Sequence, residues 1–247
     1  MRITFLGTNG WYNSPTGDTV CMLVEGEGQR ILLDAGTGFA RLEASAEWQG
    51  WTTLCLSHFH LDHIYGLHLL GKHSFTGGLR ILTPEGGRDI LDGLMRQPFT
   101  CRFAQLPYPV EVLEMPADRG ALPFDLETGE MLHASRTLGY RLRLEGKTVV
   151  YCPDTGYCAS AVHLAREADL LITECAFRPG ESSPEWPHLN PETAARLAAD
   201  AGAKRLVLVH FDASRYPTLA ARDEAAEVAR RIFPDVTASR DGMRLEW

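Results

Sequence analysis

The chain has 247 residues, 45% hydrophobic and 23% charged, enough for a packed core and unlike disordered, collagenous or fibrous chains. Its 24 Lys and Arg against 32 Asp and Glu give a net charge of −8 with no basic block, so a duplex-coating nucleic-acid binder is disfavoured. No apolar run approaches the roughly 20 residues of a membrane span. The N-terminus reaches Gly7 too soon for a signal peptide, which points to the cytoplasm.

In chain order, short strands are expected at Ile3–Leu6, Thr19–Val24 and Arg30–Leu33, the first two separated by the turn-rich stretch Gly7–Gly17. Thr53–Leu56 is a further apolar run and ends directly at Ser57-His58. A helix is expected to begin near Asp62, followed by a strand at Leu79–Leu82 and a helix from Gly87 to Met95. Gln97–Pro109 carries three prolines among Phe99, Phe103 and Tyr108 and reads as an irregular loop, with an active-site lid as its second reading. Gly139–Leu144 and Lys147–Tyr151 flank Glu145-Gly146 as a hairpin. A helix near Ser160–Ala168 and a strand at Asp169–Thr173 come next. Asn190 is a good helix cap and Pro191 a good first helical residue, so a helix is expected to Ala201. Arg205–Val209 reads as a buried strand and Ala220–Ile232 as the last helix. Strand pairs mixed with single helices favour α/β (α+β) architecture, sheets packed together with helices outside, in one domain over 1–247. The six cysteines form no CxxC pair, and several, such as Cys55 in Thr53-Leu54-Cys55-Leu56, sit in apolar runs and read as small buried hydrophobes.

The strongest motif is His58-Phe59-His60-Leu61-Asp62-His63. Imidazole and carboxylate are zinc ligands, and HxH on an extended segment puts both rings on one side. Asp62-His63, at a turn into a helix, can face a second metal. A surface histidine cluster is the bland alternative, and the motif's place at the end of a buried-type strand weighs against it. One motif cannot complete two metal shells. His133, Asp154 and His210 adjoin other expected strands in the same manner, and a strand-end carboxylate such as Asp154 can bridge two cations.

Together with Phe5-Leu6-Gly7-Thr8, Leu33-Asp34-Ala35-Gly36-Thr37-Gly38, His133-Ala134-Ser135, Pro153-Asp154-Thr155-Gly156 and His210-Phe211-Asp212-Ala213-Ser214-Arg215-Tyr216, the chain resembles the metallo-β-lactamase-fold superfamily, in its ribonuclease Z-like branch. The resemblance implies a four-layer αββα sandwich with two divalent metals, zinc favoured by ligand type and manganese or iron also compatible. Carried over, one metal takes His58, His60 and His133, the other Asp62, His63 and His210, and Asp154 bridges. Asp34 is then a carboxylate behind the ligands that orients a histidine. Glu174, in Leu171-Ile172-Thr173-Glu174-Cys175-Ala176-Phe177, and His188 match the family's proton-donating pair. Asp62, Glu174 and His188 are thus assigned to catalysis. Thr173 replaces a family histidine, and Leu189-Asn190 replace Ser-Thr, so a loop histidine is the competing reading of His188.

Other departures bear on the substrate. Only 21 positions separate His133 from Asp154, too few for the tRNA-gripping arm of ribonuclease Z proper, and Trp11-Tyr12-Asn13-Ser14-Pro15 stands where tRNA-processing members have a basic loop. No Gly-His-Thr follows the third histidine, unlike the lactam- and thioester-cleaving branches. A flavodiiron-type site would carry glutamate in place of His60. The leading expectation is a small-substrate phosphodiesterase acting on cyclic nucleotides or short nucleotide esters. The alternatives are a tRNA 3′-processing nuclease, a hydrolase of another ester or lactone, and a metal-loaded sensor without catalysis. Nucleic acid is a less favoured partner, no membrane is expected, and the family's tendency to form homodimers carries over as an open expectation. Arg136, Arg215 and Tyr216 adjoin expected ligands and could hold a phosphate oxygen, or serve structural bonds. Trp11 and Tyr12 could stack on a base or pack at the rim, while Trp48, Trp51, His68, His73 and His163 read as packing or surface residues.

Overall fold

Side chains alternate faces along an extended segment, so a strand with apolar residues at every position must be covered on both sides. Several runs here are of that kind, and the computed structural model, which describes residues 1–42 and 48–247, covers them with two sheets and outer helices. The chain opens with β1 (Arg2–Gly7), β2 (Asn9–Gly10), β3 (Cys21–Gly26) and β4 (Gln29–Leu33). After β5 (Thr52–Cys55) come α1 (Leu61–Ile64), β6 (Leu79–Pro84), α2 (Gly87–Leu94) and β7 (Val110–Met115). Next are β8 (Asp125–Glu130), β9 (Leu138–Leu144), β10 (Lys147–Cys152), α3 (Ala159–Leu164), β11 (Leu170–Glu174) and α4 (Pro191–Ala201). The remainder is β12 (Leu206–Val209), β13 (Phe211–Asp212), α5 (Leu219–Arg230), β14 (Val236–Ala238) and β15 (Arg244–Glu246).

One sheet has the order β15-β1-β3-β4-β5-β6-β7, the other β14-β12-β11-β10-β9-β8. Within them β4 to β7 run parallel, as do β10, β11, β12 and β14. Alternation sorts the core into layers. Ile31, Leu33, Val149, Tyr151, Ile172, Val207 and Val209 point into one cluster between the sheets. Val150, Cys152, Leu171, Leu206 and Leu208, one residue out of phase, pack against Ala194, Ala198, Ala225 and Ala229 of α4 and α5. On the far side Leu32, Leu54 and Ile81 meet Phe39, Leu67, Leu70 and Leu91. The arrangement is the αββα sandwich of the metallo-β-lactamase fold.

Six strands are not expected from the sequence, the sheet edges β7, β8, β14 and β15 and the two-residue β2 and β13, and the expected helix near Asp62 is one α-turn followed by a 3-10 helix over Tyr65–Lys72. Segment 97–109 is irregular as expected, but Tyr108 is buried and donates to the Leu70 carbonyl at 2.7 Å, tying its end to the outer layer. No cysteine is bonded to another, and four of the six are buried. Among the described residues no helix is long and apolar enough to cross a membrane.

Parallel strands bring their carboxyl ends to one edge, where open α/β sheets form their sites. Asp34 follows β4, His58 follows β5, Asp154 follows β10, Glu174 ends β11 and His210 follows β12. Two bonds lock the sheets together there: Leu138 donates its N–H to the Ser57 carbonyl at 2.9 Å, and the Tyr140 hydroxyl donates to the Leu56 carbonyl at 2.7 Å.

Candidate metal centre

Past the end of β5 the chain stays extended through His60, and the His58 and His60 ring centroids lie 4.5 Å apart on one side. The α1 turn then carries Asp62 and His63 back over the same edge. His133 comes from the other sheet, placed by a bridge in which Gly156 donates to the Leu132 carbonyl at 2.8 Å. His210 sits in a left-handed backbone conformation (φ 55°), a sharp bend between β12 and β13. Gly10 touches its ring so closely that a Cβ there would lie 2.5 Å from it.

These side chains form two groups. His58, His60, His133 and Asp154 bring one donor atom each within 4.8 Å of one another, as do Asp62, His63 and His210. The Asp154 carboxylate is divided between them. Its Oδ2 faces His58 Nε2 and His133 Nε2 at 3.9 and 3.7 Å, and its Oδ1 faces His63 Nε2 and His210 Nε2 at 3.1 and 3.2 Å.

Hydrogen bonds behind the cluster decide which ring atoms are free. Asp34, also left-handed (φ 58°), accepts at Oδ2 from the Tyr151 and Ser57 hydroxyls and from His63 Nδ1, each at 2.8 Å. Because Ser57 donates to Asp34, it accepts from His58 Nδ1, 3.0 Å away. His58 and His63 therefore donate from Nδ1 and face the centre with Nε2. His58 Nε2 is buried with no hydrogen-bond partner, as is Asp154 Oδ1.

Two facing imidazole nitrogens repel unless a proton or cation lies between them. His60 Nδ1 and His133 Nε2 are 3.3 Å apart, His63 Nε2 and His210 Nε2 3.1 Å, and His210 Nε2 and Asp62 Oδ2 3.2 Å. Tetrahedral zinc with bonds of about 2.0–2.1 Å has ligand–ligand edges of about 3.3 Å, so the donor set fits such ions in both groups.

Electrostatics agree. Burial drives the His58 imidazole well below its ordinary range, with His63 adding to the effect. Burial likewise lowers His60 and takes His133 down to about 4 against the pull of Asp154. It also opposes charge on His63 and His210, but Asp154, with Asp62, overcomes it and raises both. Asp62 and Asp154 resist burial through these two imidazoles and stay below the usual carboxylate range. The carboxylates are ionised, as metal ligands must be.

His188 stands beside the cluster, its ring 5.1 Å from His133 and 6.0 Å from His210. Its Nδ1 contacts Glu174 Oε1 at 2.6 Å, and the fully buried Glu174 is fixed by the Thr155 and Ala176 amides. Burial disfavours a charged His188, but Glu174 outweighs it and pushes the group up to about 9. Asp154, His188 and His210 also bring donor atoms within 4.8 Å.

Arg136, Arg215 and Tyr216 make the internal bonds that were the second reading of each. Arg136 is held by Glu85 at 2.7 Å and Glu130 at 3.1 Å. Arg215 pairs with Asp212 and Glu181 and lies over the Phe177 ring. Tyr216 is buried, donating its hydroxyl to the Phe177 carbonyl. The Arg136 and Arg215 guanidinium groups remain partly exposed in these pairs, whereas Tyr216 is enclosed. His68, His73 and His163 lie outside both ligand groups, as expected. Sequence reading missed Ser57, Tyr151, the Trp11 amide, which donates to Asp62 Oδ2 at 2.7 Å, and Trp186, whose ring is 6.1 Å from His60. The left-handed residues beside the site, Trp11, Asp34 and His210, are visible only as backbone geometry.

A family model described as the beta-lactamase superfamily domain matches residues 29–211. The chain belongs to the beta-lactamase superfamily. This superfamily member is 26% identical to a ribonuclease Z of Metallosphaera sedula over 287 aligned positions, covering 95% of this chain and 94% of that protein. The alignment is longer than the chain, so the relative carries insertions. Among solved structures, YhfI from Bacillus subtilis superposes with a TM-score of 0.80 at 22% identity, covering 100% of this chain and 98% of that one. The short form of human tRNase Z gives 0.73 at 27% identity, covering 100% and 99%. The superfamily member is a hydrolase of the metallo-β-lactamase fold, with His/Asp groups suited to two metal ions.

Proposed function

We propose that the protein is a dinuclear-metal phosphodiesterase that cleaves a small phosphodiester, a cyclic nucleotide or short nucleotide ester. The division of the Asp154 carboxylate between two histidine groups, beside the His188–Glu174 pair, carries this reading. His58, His60 and His133 would hold one ion, Asp62, His63 and His210 the other, with Asp154 shared; ligand type favours zinc. Bound there, two such ions supply a water acidic enough to attack at neutral pH and neutralise phosphate oxygens. Asp34 holds the His63 ring in place. Glu174 holds His188 protonated, and His188 gives its proton to the alkoxide oxygen that leaves.

Ribonuclease Z relatives support a phosphodiester and, as a second reading, an RNA substrate. Against RNA, the stretch between His133 and Asp154 is a short connection at 134–137 and the β9–β10 hairpin, closed at Glu145-Gly146, whose positive φ angles of 52° and 68° fit a tight type I′ turn. It leaves no arm. The test is hydrolysis of bis(p-nitrophenyl) phosphate by protein loaded separately with zinc and manganese, with Asp154→Ala as blank. Metal-dependent turnover that disappears in the variant is expected. No turnover with both metals verified as bound overturns the reading in favour of another ester, a lactone or a sensor. Cleavage of pre-tRNA but not of short esters would favour the RNA reading.

A further inference from the structure

The rim of the candidate centre carries large apolar side chains where a polyanion-binding surface would carry free cations. Trp11 is 66% exposed, and its amide reaches Asp62. Leu61, between two ligand candidates, is 72% exposed, and Leu132, next to His133, is 50% exposed. Trp186, two residues before His188, is 54% exposed. Its indole lies 6.1 Å from the His60 ring and 6.4 Å from the His133 ring, against the first ligand group.

Two contacts position the backbone that carries this indole. The Trp186 amide donates to Ser183 Oγ at 3.1 Å, and the next residue, Pro187, has a rigid φ and turns its carbonyl toward His133 Nδ1 at 3.4 Å. The two arginines that follow ligand histidines most closely, Arg136 and Arg215, are each neutralised by two carboxylates. Flat apolar contact beside the first ligand group is what this part of the rim offers a substrate.

We infer that Trp186 is a specificity-determining residue whose indole stacks on the base of a nucleoside phosphodiester bound at the metal pair. The substrate class is a single phosphodiester carrying one nucleoside. The inference rests on the phosphodiesterase reading above. An indole presents one face to any base, so the subsite selects for an aromatic group rather than a particular base.

The experiment compares two esters with the same chromophoric leaving group, thymidine 5′-(p-nitrophenyl) phosphate and methyl p-nitrophenyl phosphate. The metal-loaded wild type, Trp186→Ala and Trp186→Phe are assayed on both. The ratio of kcat/KM values, nucleoside ester over methyl ester, should fall about ten-fold in Trp186→Ala, within the range for loss of one base–aromatic stack. Trp186→Phe should restore most of it. An unchanged ratio in Trp186→Ala overturns the inference while leaving the phosphodiesterase reading intact. If the wild type with both metals bound cleaves neither ester, that reading fails, and binding decides the subsite. Quenching of tryptophan fluorescence by thymidine 5′-monophosphate that is lost in Trp186→Phe supports it; equal quenching in both proteins, or none, overturns it.

Discussion

Asp34 collects four hydrogen bonds, from the Ser57 amide, the Ser57 and Tyr151 hydroxyls and His63 Nδ1, and through them sets the orientation of two inward-facing imidazoles. Asp34→Asn keeps the volume but loses the charged acceptor, so metal affinity should fall about 10–100-fold, as read by chelator competition. An unchanged affinity would show that His63 is positioned by other contacts. His188→Ala tests a different role. With Glu174 behind it, His188 is assigned to proton donation, so turnover should drop about 10²–10⁴-fold while both metals stay bound. Metal lost with the side chain would make it a ligand beside Asp154 and His210. His73 lies outside the centre, edge-on to Phe39 with a buried, unpartnered Nε2. Burial lowers its imidazole to about 4, with Lys72 and Arg30 adding to the effect. The unfolded chain takes up this proton near pH 6.5 and the folded one only near 4. Stability therefore falls as pH drops through that window. Solvent screening beside Lys72 leaves about 1 kcal/mol, so the loss between pH 7.5 and 5 in urea unfolding should be smaller by that amount in His73→Phe. At this scale His58, His60, Asp62 and His63 stand out because imidazole and carboxylate at HxHxDH spacing have few other uses, whereas His133, Asp154 and His210 adjoin strands and join them as a set only through the family resemblance. Ser57, Tyr151 and Trp186 do not stand out, because hydroxyls and aromatics are common: Ser57 adjoins His58 in the chain without any special signal, and only the fold brings Tyr151 and Trp186 to the centre.

The loop from Thr8 to Gly17 meets the centre twice, through the Trp11 amide on Asp62 and through Gly10 against the His210 ring. It is braced from α5. Arg222 is fully buried, lies over the Phe211 ring at 4.8 Å, and donates to the Thr8 and Thr16 hydroxyls at 2.9 and 3.0 Å and to the Asn9 side chain. Asn9 in turn donates to the Tyr12 and Gly17 carbonyls. Arg222→Met should cost about 1–3 kcal/mol by leaving buried acceptors unsatisfied, measured by urea unfolding. Metal occupancy should fall on the Asp62–His210 side first; equal loss at both sites would mean the loop serves stability alone. None of this was legible, since an arginine inside an amphipathic helix pattern reads as surface. The missed strands have a related cause. Asp125–Glu130 and Arg244–Glu246 are polar outer strands of their sheets, and such strands lack the apolar run that betrays a buried one. Helix α4 was legible because its signals are local: Asn190 accepts from the Thr193 amide, with Pro191 first in the helix.

The two sheets meet at a centre that neither could form alone. Each ligand group draws from both, His58 and His60 with His133 and Asp154 in one, Asp62 and His63 with His210 in the other. The pattern of buried strands and amphipathic helices indicated layered sheets, but which strands would neighbour came only with the family resemblance, because sheet pairing is set by contacts distant in sequence. One consequence concerns the molecule's stability. Bound ions would fasten one sheet to the other at a site where imidazole nitrogens otherwise face one another at 3.1 and 3.3 Å. A ligand that binds only the folded state adds about 2.7 kcal/mol at a hundred times its dissociation constant. For a chain this long that corresponds to a rise in Tm of about 5–10 °C. Scanning calorimetry with and without chelator should show that difference in the wild type. It should shrink sharply in Asp154→Ala, which removes the carboxylate common to both groups. An equal chelator effect in wild type and variant would mean that any stabilising ion sits away from the divided carboxylate, and the two-ion assignment would fall with it.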